Sequence, residues 1–159
     1  MKVEFVMPFV QAGMSVMQQV INQVPERGQL SARPQVFTSQ QLSIVCGIFG
    51  DIEGQVIYGM SLASADKVAS TMIGQTIVSF DQLAASAIAE LGNMISGNAM
   101  TNLAAQGYKC DITPPTIIKG TNVKISTLDI PALVIPMQIE GIGQFEITVS
   151  LKEARVKAA

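Results

Sequence analysis

Positions Val6, Phe9, Val10, Gly13, Met17, Val20, Ile21 and Val24 recur at helical spacing and predict a helix from about Val3 to Val24. Pro8 is tolerable near its first turn, and Pro25 stops it. Glu26 to Gln35 is polar, with Gly28 and Pro34, and reads as a connection leading into an edge strand. Leu42 to Phe49 and Gln55 to Leu62 read as the two strands of a hairpin around the turn signal Gly50-Asp51-Ile52-Glu53-Gly54. A short helix follows to about Ile73, with Ser64 as its expected N-cap and Gly74 as its terminator.

Ser79-Phe80-Asp81-Gln82 has the form of a capping box and opens a long helix that Gly107 ends. Two faces of this helix disagree. Ala84, Ile88, Leu91, Ile95 and Ala99 form a stripe suited to a core. Ser86, Glu90, Asn93 and Gly97 form a narrow polar stripe opposite. Beyond it, Asp111 to Asp129 carries Pro114-Pro115 and the turn Lys119-Gly120-Thr121-Asn122, which argues for edge or irregular structure. Ile130 to Glu140 and Gln144 to Leu151 make a second hairpin around Gly141-Ile142-Gly143, and the tail from Glu153 to Ala159 reads as short, basic and frayed.

The two halves, about 1–75 and 76–155, share one layout of helix, lead-in with a proline, and hairpin, as an internal duplication does. On this alignment Gly13 matches Gly92, Pro34 matches Pro115, Gln11 stands where Glu90 stands, and Met14 where Asn93 stands. The pattern predicts a single domain over 1–159. Its expected fold is a two-layer α/β sandwich with a mixed or antiparallel sheet, long helices on one face and internal pseudo-two-fold symmetry.

Composition narrows the chemistry. With 159 residues, 48% hydrophobic and 14% charged, the chain suits one compact core. A net charge of −2 with scattered Lys and Arg makes no case for nucleic acid. The absence of His removes Ser-His and Cys-His nucleophile pairs and the commonest zinc ligand. Cys46 and Cys110 lack metal-site spacing and read as thiols in a reducing cytoplasm. Pro8, Gln11 and Gly13 interrupt the first apolar run, so no signal peptide is expected, and no run is long enough to span a bilayer.

The polar stripe is left to account for. A carboxylate there can pair with a partner's ammonium, and a carboxamide can hold a water in a chosen orientation. Phosphoryl hydrolysis asks mainly for positioning and charge stabilisation, so one Asn could serve if another molecule brought the phosphoryl group and a metal. Gly92 and Gly97 each cost a helix about 1 kcal/mol, easier to understand if a backbone or a partner approaches closely. An exposed Glu and Asn on a helix are also ordinary surface residues.

Ser86, Glu90, Asn93 and Pro115 fit a longer pattern: Asp or Ser, three residues, Glu, two residues, Asn, and a proline about twenty residues on. With the flanks Glu90-Leu91-Gly92-Asn93-Met94-Ile95-Ser96-Gly97-Asn98-Ala99 and Ile112-Thr113-Pro114-Pro115, the chain resembles the CheC/CheX/FliY group of chemotaxis phosphatases. The resemblance implies a phosphatase that dephosphorylates the phospho-aspartate of a CheY-like response regulator. It makes Glu90 and Asn93 the catalytic pair, Asn93 orienting the attacking water and Glu90 pairing with a regulator lysine. Ser86, Gly97 and Pro115 become supporting motif residues. Mg²⁺ would sit on the regulator, so the protein needs no cofactor or metal of its own. Without the polar pair in its first half, the chain resembles the single-motif CheX type and, with it, homodimers joined through their sheets. A regulator-binding or flagellar-switch adaptor without hydrolysis is the alternative.

Overall fold

A computed structural model describes residues 2–154 of the chain. Helix α1 spans Val3–Ile21, followed by short strands β1 (Glu26–Arg27), β2 (Ser31–Arg33) and β3 (Val36–Thr38). The long strands β4 (Leu42–Gly50) and β5 (Ile52–Met60) lead to α2 (Leu62–Ile73) and α3 (Gln82–Ala105). The second half then repeats the order: short β6 (Cys110–Ile112), β7 (Thr116–Lys119) and β8 (Lys124–Ser126), then long β9 (Ala132–Ile139) and β10 (Gly143–Glu153).

The main sheet runs β1-β9-β10-β5-β4-β6, with β2 also on β9 and β7 also on β4, while β3 and β8 pair separately. Every pairing is antiparallel. The order is palindromic. Central β5 and β10 pair with each other, β4 and β9 lie outside them to complete each half's hairpin, and the short strands β1 and β2 of one half and β6 and β7 of the other cross over to the opposite half's hairpin. That is a pseudo-two-fold architecture. Even the irregularities repeat: three steps along β4, from Ile48 to Val45, match four from Ile112 to Thr116. Three steps along β9, from Met137 to Val134, likewise match four from Arg27 to Ser31. Each lead-in therefore carries a one-residue bulge.

The register also corrects the pairing of the two prolines. Pro115 lies between β6 and β7, whereas Pro34 lies after β2; the first-half segment in the place of Pro115 is 28–30, between β1 and β2. A proline near a strand is too common a feature to fix the register of a degenerate repeat. Gly13 and Gly92 both lie tight against the sheet. A β-carbon on Gly13 would meet Ile147 at 3.0 Å, and one on Gly92 would meet Ile44 at 2.6 Å, on central rows of the sheet.

The helices cover one face. Phe5, Phe9 and Met17 from α1, and Ile88, Leu91 and Ile95 from α3, pack on Ile44, Tyr58, Phe145 and Ile147 of the sheet. Ser96 is buried within this core, and its hydroxyl meets the Tyr58 hydroxyl at 2.7 Å, so the polar contact there is satisfied. On the other face Arg33 donates to Glu146 and Thr148 beneath the Phe37 ring.

Several boundaries differ from expectation. Helix α2 starts earlier because Ser61, not Ser64, accepts the capping bond, from the Ser64 N–H. The cap of α3 is Asp81, whose carboxylate accepts from the Ala84 N–H at 2.8 Å, rather than Ser79. Gly54 sits inside β5, not in the turn: at φ +145 its bare Cα lets the Ser150 carbonyl come within 2.0 Å of where a β-carbon would be. Glu153 closes β10 opposite Ile52, and residues 155–159 of the expected frayed tail lie outside the described residues.

Candidate functional site

The site is built on α3 from its buried side outward. Ala84, Ile88, Leu91, Ile95 and Ala99 are all fully buried, as the apolar stripe predicts. Burying these alkyl groups fixes the rotation of the helix about its axis, and the opposite stripe is then held facing out. Ser86, Glu90 and Asn93 are exposed. Gly92, between the last two, lies directly on Ile44 of β4, so the middle of the helix sits closer to the sheet than any side chain would allow.

Helix and lead-in together make a groove of about 500 Å³, lined by Ser86, Ala89, Glu90 and Asn93 on one side and Ile112, Thr113, Pro114 and Pro115 on the other. Four of the five predicted site residues are thus brought together. Gly97, the fifth, lies one turn further along the stripe, outside the groove, and a β-carbon on it would meet nothing within 4 Å. On the opposite side the sequence marks Pro115 as a site residue and Ile112, Thr113 and Pro114 only as its flanks; all four line the groove. Their signal is the Ile112-Thr113-Pro114-Pro115 flank of the motif itself.

Among the described residues, Glu90 has no cationic partner and the Asn93 carboxamide makes no hydrogen bond. Some other surface carboxylates are engaged, such as Asp51, which accepts from the Lys109 N–H. An exposed Glu and Asn at i and i+3 are adjacent on the helix, so both can reach one incoming group. No cluster of three or more His, Cys, Asp or Glu side chains that could hold a metal ion occurs among the described residues. The Cys46 thiol is raised above its ordinary range by burial. Burial likewise pushes the Cys110 thiol up. Neither lines the groove.

The pseudo-symmetric position in the first half is also a groove, about 360 Å³, lined by Met7, Val10, Arg27, Gly28, Gln29, Leu30 and Ile135. Where α3 contributes a hydroxyl, a carboxylate and a carboxamide to its groove, α1 contributes the thioether of Met7 and the alkyl group of Val10, and the polar lining here, Arg27 and Gln29, comes from the lead-in. Of the two grooves, one carries a helix-borne Glu and Asn.

The two interior glycines of α3 make opposite predictions. Gly92→Ala gains about 1 kcal/mol of helix propensity but forces Ile44 aside, and overpacking costs about 1–3 kcal/mol. Gly97→Ala gains the propensity with no contact. Thermal melting should show a lowered midpoint for the first and a raised midpoint for the second.

An antiparallel sheet with both helix-bearing halves related by a pseudo-two-fold, and a helix-borne Glu-x-x-Asn facing a proline wall, defines a CheC-like class of domain. A CheC-like superfamily protein from Shewanella sp. PV-4 superposes with a TM-score of 0.86 over 96% of this chain and 99% of its own, at 22% identity. The family model described as chemotaxis phosphatase CheX matches residues 42–138. The CheY-P phosphatase CheX of Thermotoga maritima is 37% identical over 129 residues, 80% of this chain and 83% of the relative. CheX in the CheX–CheY–BeF3–Mg²⁺ complex from Borrelia burgdorferi is 30% identical, with a TM-score of 0.82 over 96% of this chain and 100% of that one. The chain belongs to the CheX family of chemotaxis phosphatases.

Proposed function

We propose that the protein hydrolyses the phospho-aspartate of a CheY-like response regulator, using Asn93 to orient the attacking water and Glu90 to dock the regulator. The observation that carries this reading is the exposed, unpaired Glu90 and Asn93 on one helix face, opposite the Pro115 wall. The family relation supplies the substrate class, since the relative from Thermotoga maritima is a CheY-P phosphatase. In the Borrelia burgdorferi complex BeF3 stands in for a phosphoryl group beside Mg²⁺. By analogy the phosphoryl group and Mg²⁺ belong to the regulator, and this chain contributes side chains only.

Each residue then has a distinct task. The Asn93 carboxamide accepts a hydrogen bond from the water and holds its lone pair in line with the phosphorus. The Glu90 carboxylate pairs with a regulator ammonium and seats α3 in the cleft. Ser86 and Pro115 bound the groove, and Gly97 leaves room for the partner's surface along the helix. The test is phosphate loss from an acetyl-phosphate-charged regulator in Mg²⁺ with catalytic amounts of this protein. Unchanged phosphate lifetime despite binding would leave the adaptor reading instead.

The chain is further read as one cytoplasmic domain of two degenerate halves, about 1–75 and 76–155, with one site. It is read also as a homodimer joined through sheet edges, which the short strands β1, β2, β6 and β7 leave open for pairing. Light scattering at micromolar protein should give twice the chain mass; the chain mass alone contradicts the dimer.

A further inference from the structure

We infer that Thr113 is a positioning residue for the reaction, holding the proline wall at a fixed angle to Asn93; this rests on the phosphatase reading above. In a regular antiparallel ladder, Gly47 and the residue opposite exchange two main-chain bonds. Here only one is main-chain: the Thr113 N–H donates to the Gly47 carbonyl at 2.9 Å. The Gly47 N–H donates instead to the Thr113 side-chain Oγ1, also at 2.9 Å. The hydroxyl thus takes the ladder place that a carbonyl would occupy, and the main chain is free to leave the sheet at this residue.

Pro114 and Pro115 come next in the chain; they can donate nothing to β4, and their backbone is stiff. The ladder resumes at Thr116, opposite Val45. The wall is therefore a rigid two-proline arch, and its Thr113 end is pinned through both polar groups of Gly47. Gly47 permits the clasp because a β-carbon there would press on Thr113 Cγ2 and Oγ1, at 3.0 and 3.1 Å.

The first half shows that the fold does not need this device. Its equivalent bulge is tied by the backbone alone, the Gly28 N–H donating to the Pro136 carbonyl at 2.7 Å. Pro136 has no N–H to satisfy, so no hydroxyl is called for. The clasp accompanies the half that carries Glu90 and Asn93. A regulator seated in the groove contacts helix and arch together, so the arch angle sets how the phosphoryl group meets the water held by Asn93. Small misplacements of that kind lower turnover strongly.

The experiment compares Thr113→Val, which keeps the shape and removes the acceptor, with Thr113→Ser, which restores it. Ser150→Ala serves as a stability control, because it removes a bond to the Ile130 carbonyl on the sheet face away from the helices. Wild type and Asn93→Ala run in the same regulator dephosphorylation assay. Thr113→Val should lose about tenfold in kcat with KM little changed, Thr113→Ser should regain it, and Ser150→Ala should keep full turnover despite a lowered melting midpoint. Full turnover in Thr113→Val, or equal losses in Thr113→Val and Ser150→Ala, overturns the inference while the phosphatase reading stands. A wild type without activity overturns both.

Discussion

Asn93→Ala should lower turnover on the phosphorylated regulator by about two orders of magnitude while leaving affinity within a few-fold. The asymmetry follows from where the carboxamide acts. A group that orients the attacking water contributes to the transition state and little to the docked complex, so its loss falls on kcat. The result will be clean because Asn93 is exposed and makes no hydrogen bond within the described chain, so folding does not depend on it. Single-turnover dephosphorylation gives kcat, and a titration of the beryllofluoride-charged regulator gives Kd. Loss of affinity without loss of turnover would reassign Asn93 to docking.

Glu90→Lys should fail in the complementary way. Replacing the carboxylate by an ammonium sets two cations against each other in the docked complex. Disrupting a desolvated charge pair costs about 2–5 kcal/mol, which is roughly a thirtyfold or larger rise in Kd. Glu90→Gln, with the same shape and no charge, should fall between wild type and Glu90→Lys. Because Glu90 has no cationic partner among the described residues, neither variant should shift the melting midpoint. Calorimetric titration with the charged regulator checks both. Unaltered affinity in Glu90→Lys would make the polar stripe solvated decoration.

How much of this was legible in the chain depends on the range of the interaction concerned. The two stripes of α3 were readable because helix periodicity is local and the buried members, Ile88 to Ile95, are all large and apolar. The duplication was readable as a layout of elements, and the palindromic strand order shows it. Its residue register was not, because a crossover decides which strand a lead-in joins. Pro34 and Pro115 both lie near short strands, yet one follows its strand and the other arches between two.

Caps were misplaced for a related reason. Ser61 and Ser64, or Ser79 and Asp81, are equally able to cap on chemistry alone. The choice falls to whichever residue has extended φ and ψ where the helix begins. Gly54 looked like turn punctuation because nothing local records that the Ser150 carbonyl crosses it. The Thr113 clasp was invisible for the same reason: its partner, Gly47, is 66 residues away in sequence.

Four of the five candidate residues share one groove, and the fifth does not. Ser86, Glu90, Asn93 and Pro115 do line one groove. Gly97 belongs to the stripe but not to the groove. On the proposed reading, the chemistry that would make these residues catalytic arrives on another molecule.

The most direct measurement is therefore the decay of an aspartyl-phosphorylated CheY-like regulator in Mg²⁺, followed with and without this protein at a tenth of the regulator concentration or less. The account predicts several turnovers per protein molecule and a shortened phosphate lifetime, abolished by Asn93→Ala. A lifetime unchanged across candidate regulators that bind the protein would contradict it.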